Sequence, residues 1–246
     1  VLRGENLANL FRQVTVVAIL SIGMTMVIVS NNIDLSVGSA LGMFGALTAS
    51  LMTQLNIDPI LSIVLILLLG GLVGCIHGVL VHHLNIPAFV VTLGGLIAYR
   101  GIAQYVARQS IPVRVDWVKA IAQGTVPGLI GGILIVLVVV AVFFSMAQRR
   151  SGLRRANLPM LPLWADATKA SGSTALVVVM GSVLIGGGEG VPIPLLLLAG
   201  LAILASLMAK FTRFGHYIYA IGGNKQAAHY SGISIAKNTI GVFTLM

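Results

Sequence analysis

The sequence predicts an all-α, polytopic transmembrane helical bundle in which at least one helix is broken. Of its 246 residues, 57% are hydrophobic and only 9% are charged, and the mean hydropathy is +1.02. A soluble domain carries about 25% charged residues to keep its surface in water. Between Val14 and Tyr99 the only charged residues are Asp34 and Asp58. Most of the exterior must therefore face lipid.

Seven apolar segments approach the length of about 20 residues that crosses a bilayer. Polar clusters at 31–36, 56–59 and 82–87 separate the first four segments. We expect one transmembrane domain over residues 1–246, with helices near residues 14–30, 37–53, 60–81, 87–107, 127–147, 171–188 and 191–209.

The distribution of basic residues predicts the orientation of these helices. Cytoplasmic loops of membrane proteins retain Lys and Arg. If all seven segments cross, the side with more basic residues, and hence the cytoplasmic side, carries Arg149, Arg150, Arg154, Arg155, Lys169, Lys210, Arg213, Lys225 and Lys237. The net charge of +9 does not predict nucleic-acid binding, because no basic stripe alternates with aromatic residues.

Small residues on the third segment predict close helix packing. Gly70, Gly71, Gly74 and Gly78 are spaced so that pairs of them share a helix face. Such faces let helix backbones approach closely, and we expect this packing to lie within the chain rather than at a dimer seam. Gly186 to Gly188 are expected to end a helix at the outer surface. The lone Cys75 excludes an internal disulfide.

The most informative stretch runs from Asn31 to Ser39 and contains Asn32, Asp34 and Ser36. A carboxylate at the centre of a membrane helix costs about 2.5 to 3.5 kcal/mol on insertion scales. In one interpretation the stretch is a short cytoplasmic turn, with Asp34 or Ser36 capping the helix that begins near Val37. In the other, the helix is broken at membrane depth and its polar groups line a transport path. We favour the second, and the first stays open.

The remaining polar residues in the apolar segments carry no enzyme signature. Arg100 either extends to the outer interface or contacts a polar substrate or Asp34. His77, His82 and His83 have no nearby glutamate with which to form a helical zinc motif and are interpreted as interfacial residues. No phosphate-binding loop, catalytic set or metal cluster can be assembled, so we expect no catalytic residue, no metal and no cofactor on this chain.

The last polar segment, residues 210–239, is predicted to be cytoplasmic. It contains a turn at Gly222-Gly223-Asn224, a short helix that Asn224 can cap, and a stop near Gly232. Ala227 and Ala228 leave a surface with small side chains that another protein could approach closely. An amphipathic interfacial helix is the alternative.

Three ordered motifs resemble the permease subunits of bacterial monosaccharide ABC importers. They are Asn-Ile-Asp-Leu-Ser-Val-Gly-Ser at 32–39, Ile-Pro-Ala-Phe-Val-Val-Thr-Leu-Gly-Gly at 86–95, and the segment from Arg213 to Ile233. The basic insertion at 148–169 and the segment 190–198 look most like the D-xylose branch, with ribose-type permeases next. The chain starts without Met and ends in an apolar run too short to span, so we interpret it as a fragment of a longer permease.

The resemblance implies a multi-pass protein of the bacterial inner membrane that works by alternating access. Its implied partners are a cytoplasmic ATP-binding subunit that holds ATP and Mg, an extracytoplasmic sugar-binding protein, a second permease copy, membrane lipid and a monosaccharide. D-xylose is the expected sugar; ribose, galactose, nucleosides and other small sugars are alternatives. An ion-coupled secondary transporter that titrates Asp34 is the alternative from another class.

The resemblance also assigns candidate site residues. The substrate path is expected to include Asn31, Asn32, Asp34, Ser36, Phe89 and Thr92. Coupling to the ATPase is expected to involve Gly222, Gly223, Asn224, Ala227, Ala228, Ser231 and Gly232.

Overall fold

The computed structural model describes residues 4–156, 159, 162–186 and 190–246. These residues form helices joined mostly by short links, together with two short strands. In chain order the elements are α1 (Gly4–Val29), α2 (Val37–Thr53), α3 (Pro59–His83), α4 (Ala88–Val106), α5 (Asp116–Gln123), β1 (Thr125–Val126), α6 (Gly128–Arg155), α7 (Leu163–Gly186), β2 (Val191–Pro192), α8 (Ile193–Phe211), α9 (Arg213–Gly223), α10 (Lys225–Tyr230) and α11 (Ile235–Leu245).

Five helices in the described part of the chain are long and apolar enough to cross a membrane, namely α1, α3, α4, α6 and α8. The α2 helix is apolar but has only 17 residues. The α7 helix has 24 residues, and the polar residues of its first half, including Asp166, lower its hydropathy. Large apolar side chains lie on the exterior, for example Leu67 at 70% exposure and Leu129 at 81%. The predicted all-α transmembrane fold is confirmed.

The helix ends follow the expected ranges most closely where the chain stays apolar. The α2 helix has the expected bounds, and α3, α4 and α8 begin and end within two residues of theirs. The α1 helix begins earlier, α6 ends later at Arg155, and α7 begins earlier at Leu163. Apolarity marks only the membrane-crossing part, whereas helical hydrogen bonding continues through polar residues. Gly187 and Gly188, the expected end of the α7 segment, lie outside the described residues.

The chain divides into two compact units. One comprises Val1–Thr15 and Ala120–Leu196. In it, α6 packs against α7, and β1 pairs antiparallel with β2. Leu7 and Ala8 of α1 are buried against Met180 and Val183 of α7.

The second unit comprises Val16–Lys119 and Leu197–Met246. Here α2 packs on α3 and α4, while α11 lies along α3. A Cβ added at Gly74 would lie 2.0 Å from the carbonyl oxygen of Phe243, and one at Gly78 would lie 2.5 Å from the Cα of Ile240. The missing side chains therefore allow the α3 and α11 backbones to touch. The expected packing of this glycine face within the chain is confirmed.

Candidate functional site

The link between α1 and α2 is an irregular segment with a buried polar centre. Asn31 adopts a left-handed conformation with φ of 62°, which turns the chain away from α1. Asp34 is 4% exposed, and its Oδ1 accepts hydrogen bonds from Ser36 N at 2.7 Å and from Ser36 Oγ at 2.6 Å. Ser36 immediately precedes α2 but makes no side-chain cap. The carboxylate thus stabilises the link itself, and the structure does not support the capping interpretation.

One hydroxyl fixes this link to α4. Thr92 is fully buried, and its Oγ1 accepts a hydrogen bond from Leu35 N at 3.0 Å. The same oxygen lies 2.9 Å from the carbonyl of Ala88 and 3.3 Å from that of Ile33, so its hydrogen has acceptors in both α4 and the link. Thr92 therefore positions the backbone of the candidate path and presents no free hydroxyl to a ligand.

A cavity of about 330 Å³ lies beside the link. Three predicted path residues, Asn31, Asn32 and Phe89, line it together with Asn85 and Lys225. Asp34, Ser36 and Thr92 do not line it: Ser36 donates hydrogen bonds to Asp34, and Thr92 is hydrogen-bonded to the backbone of the link. Three of the six expected path residues thus line the cavity, and the other three stabilise the link beside it.

Sequence reasoning missed Asn85 and Lys225. Asn85 has φ of 52° and follows α3 in the same way that Asn31 follows α1. An asparagine directly after an apolar helix signals a left-handed turn, and this signal could have identified the pair. Lys225 reaches the cavity from the first residue of α10, which no local pattern indicates.

The expected coupling segment folds into α9, α10 and the start of α11. Asn224 caps α10 as predicted, since its Oδ1 accepts a hydrogen bond from Ala227 N at 2.9 Å. Gly232 has φ of 81° and turns the chain after α10. Gly223, Asn224, Ala227, Ser231 and Gly232 are exposed, and Gly222 is half-buried.

The expectation that Ala228 lies on the docking surface is wrong. Ala228 was predicted to share a docking surface with Ala227, but it is only 4% exposed. Its side chain lies in an apolar cluster with Ile221 and Ile235, because successive residues of a helix point about 100° apart. Ala227 faces outward, and Ala228 anchors α10 to α9 and α11.

The coupling segment touches the end of α1. A Cβ on Gly222 would lie 1.8 Å from the carbonyl oxygen of Val29, so the backbones of α9 and α1 are in direct contact there. Three residues later, Lys225 lines the same cavity as Asn31 and Asn32. The segment expected to couple to the ATPase is therefore adjacent to the residues expected to line the substrate path.

Other polar residues of this unit lie away from the cavity lining. His77 is 4% exposed, so its interpretation as an interfacial residue is wrong: its Nε2 is hydrogen-bonded to the Tyr99 hydroxyl at 2.7 Å. Gly95 leaves room for this pair. Arg100 is exposed on α4. Among the described residues, no three His, Cys, Asp or Glu side chains are grouped to hold a metal ion.

The sequence of the chain is similar to those of known transport permeases. The xylose transport system permease protein XylH of Escherichia coli (strain K12) is 35% identical over 99% of this chain and 62% of its own length. XylH of Haemophilus influenzae is also 35% identical, over 99% of this chain and 65% of its own length. The ribose import permease protein RbsC of Escherichia coli (strain K12) is 29% identical over 98% of this chain and 57% of its own length.

The chain spans about three fifths of the length of these curated relatives. No solved structure is significantly similar to it. A family match extends over residues 6–246, nearly the entire chain. With the apolar helices, it confirms the expected membrane location and a transport classification rather than an enzymatic one. The chain belongs to the family described as branched-chain amino acid transport system / permease component.

Proposed function

We propose that the chain is the membrane-spanning region of a permease subunit in an ATP-driven monosaccharide importer of the bacterial inner membrane. The observation that carries this proposal is the cavity shared by the α1–α2 link, the α3–α4 link and Lys225 of α10. D-xylose is the proposed sugar, since the relatives named for xylose are 35% identical and the one named for ribose is 29% identical.

The cavity lining suits a neutral sugar. The side-chain amides of Asn31 and Asn85 each offer donors and an acceptor, which match the hydroxyl groups of a monosaccharide. The Asn32 amide donates to Ser30 and therefore offers only its carbonyl oxygen. Phe89 is 51% exposed and offers an apolar ring for the C–H face of the sugar ring. A volume of about 330 Å³ lies at the lower end of the range of small-molecule sites. These contacts are few and reversible, as transport requires.

The contact at Gly222 gives a route by which the ATPase can act on the cavity. In the proposed importer, ATP and Mg bind to a separate subunit, an extracytoplasmic protein delivers the sugar, and two permease copies pair. The ATPase binds the exposed face of α10 and favours one of two permease conformations. Movement of α10 displaces α9, and α9 contacts Val29 through Gly222, directly before the link that lines the cavity.

Replacing cavity asparagines with glycine should impair sugar uptake without disturbing the fold. Glycine adopts the left-handed conformation of Asn31 and Asn85 at no steric cost, so Asn31→Gly and Asn85→Gly remove only the amides. Each lost hydrogen bond contributes about 1 kcal/mol, so we expect KM for xylose uptake to rise on the order of fivefold. Uptake of labelled sugar into proteoliposomes that contain the complete importer measures this.

Asn56→Gly is the matched control for these two variants. Asn56 has φ of 51° but lies in the α2–α3 link and does not line the cavity. Its replacement should leave KM unchanged. Equal changes in KM for all three variants would show that the backbone turns, and not the cavity amides, determine uptake.

Ala227→Glu should prevent binding of the ATP-binding subunit. Ala227 is exposed on α10, and a glutamate in this first turn is compatible with the helix dipole, so α10 should remain folded. A bulky charge at a closely packed interface should weaken association at least about tenfold. Purification of the intact protein in mild detergent, followed by mass spectrometry of co-purifying chains, tests both the partner and the surface.

Gln226→Glu introduces the same charge beside Ala227 without adding bulk, and it should retain most of the association. An importer whose uptake collapses with an ion gradient, and which co-purifies with no ATP-binding subunit, would contradict the proposed function. Normal association of the Ala227→Glu variant would contradict only the docking surface.

A further inference from the structure

The α6 helix continues beyond its apolar part into a strongly basic extension. Residues 129–147 contain no charged side chain and span about 28 Å at 1.5 Å per residue, close to the hydrocarbon thickness of about 30 Å. The same helix then runs on to Arg155. We define the basic arm as residues 148–155 of α6 and 163–168 of α7. It carries Arg149, Arg150, Arg154 and Arg155.

An ion pair joins the two parts of the basic arm. Arg150 Nη1 contacts Asp166 Oδ2, and the two side chains are 14% and 13% exposed. Asp166 is the only acidic residue between Gln148 and Lys169, and Arg150 balances its charge. Arg149, Arg154 and Arg155 are exposed and give the arm its positive surface.

Apolar side chains accompany these cations. Leu163 is 61% exposed and Trp164 is 71% exposed, both in the first turn of α7. Tryptophan is enriched where the hydrocarbon meets the headgroups of a membrane. Arg154 lies five residues beyond Arg149, or about 7.5 Å along the helix, which is comparable with an interfacial layer roughly 5 to 7 Å thick. The charges therefore sit at headgroup depth, directly past the end of a spanning segment.

We propose that the basic arm is a binding site for anionic phospholipids of the adjoining leaflet. The guanidinium group of arginine can donate two parallel hydrogen bonds to phosphate oxygens. Clustered cations beside a spanning helix also attract acidic headgroups. Arg149, Arg154 and Arg155 bind the headgroup phosphates, and Leu163 and Trp164 enter the interface beside the acyl chains. The Arg150–Asp166 ion pair holds the first turn of α7, which carries Leu163 and Trp164, beside the basic end of α6.

Quenching of Trp164 fluorescence tests this site directly. The chain has two tryptophans, so Trp117→Phe leaves Trp164 as its only tryptophan. The full chain is reconstituted in phosphatidylcholine vesicles that contain increasing fractions of phosphatidylglycerol or phosphatidylcholine with brominated acyl chains. Half-maximal quenching should require a smaller fraction of the brominated phosphatidylglycerol. The vesicles have the same composition in both leaflets, so the result does not depend on orientation.

Removal of the exposed cations should abolish this preference. Each of Arg149→Gln, Arg154→Gln and Arg155→Gln should raise the phosphatidylglycerol fraction for half-maximal quenching by about fivefold. Arg213→Gln, which removes an exposed cation from the other compact unit, should not change it. Molar salt should reduce the preference of the unsubstituted arm, since it screens exposed charges.

Equal quenching by the two brominated lipids would overturn the proposal, as would a preference that survives all three substitutions. In either case the basic arm would be free to bind a protein partner instead. If the variant that combines Arg149→Gln, Arg154→Gln and Arg155→Gln does not fold, the single substitutions and the salt titration still test the proposal.

Discussion

The Gly222→Ala variant should lose thermal stability and sugar uptake together. Its new Cβ would lie 1.8 Å from the carbonyl oxygen of Val29, and a backbone atom cannot rotate out of the way. Either α9 or the end of α1 must shift, at a cost of about 1 to 3 kcal/mol for forced overpacking. Thermal unfolding in detergent, followed with a dye that reacts with Cys75 as it becomes exposed, measures the loss.

Gly223→Ala provides a neighbouring control. Gly223 is exposed, and nothing lies within 4 Å of the position that a Cβ would take. Its substitution should leave the unfolding temperature unchanged. If Gly222→Ala had the same unfolding temperature as Gly223→Ala, close backbone contact between α9 and α1 would not be needed for stability.

The second large effect is expected for Thr92→Val. Valine keeps the shape of threonine but has no oxygen, so the amide of Leu35 loses its acceptor and the link loses its attachment to α4. This hydrogen bond is partly buried, and its loss costs about 0.5 to 1.5 kcal/mol. We expect a lower unfolding temperature and strongly reduced uptake, because the wall of the cavity is no longer fixed. Thermal unfolding and proteoliposome uptake check both expectations.

Two variants separate the hydrogen bond from other effects of this substitution. Thr92→Ser keeps the hydroxyl and should restore most of the uptake. Thr48→Val removes a hydroxyl that bonds only within α2, to the carbonyl of Phe44, and should have little effect. Uptake that is normal in Thr92→Val would show that the link needs no attachment to α4.

All seven apolar segments expected to cross the membrane lie in helices, because apolar runs favour helices in lipid, but only five of the described helices are long and apolar enough to cross. The ends of α2 follow from polar residues on either side of an apolar run. The early start of α7 at Leu163 could not be predicted by the same criterion, since helix formation outside the membrane depends on local propensity and on the Arg150–Asp166 contact.

The sequence identified many residues of the candidate site but could not predict how they contact one another. Motif resemblance selected Thr92, yet its bond to Leu35 joins residues 57 positions apart, which no local pattern specifies. Ala227 and Ala228 are identical in type, and only the packing of α10 decides that one is exposed and the other buried. The packing of α10 also places Lys225 in the cavity lining.

The Thr92 hydroxyl also determines how easily the link can move. Its single hydrogen has three carbonyl acceptors in reach, those of Ala88 at 2.9 Å, Ile33 at 3.3 Å and Phe89 at 3.4 Å. If the link withdraws, the hydroxyl can keep a bond within α4, so departure of Ile33 leaves no buried donor unsatisfied. Only the Leu35 bond must then break. The link can therefore separate from α4 by breaking one hydrogen bond, without any rearrangement of the core.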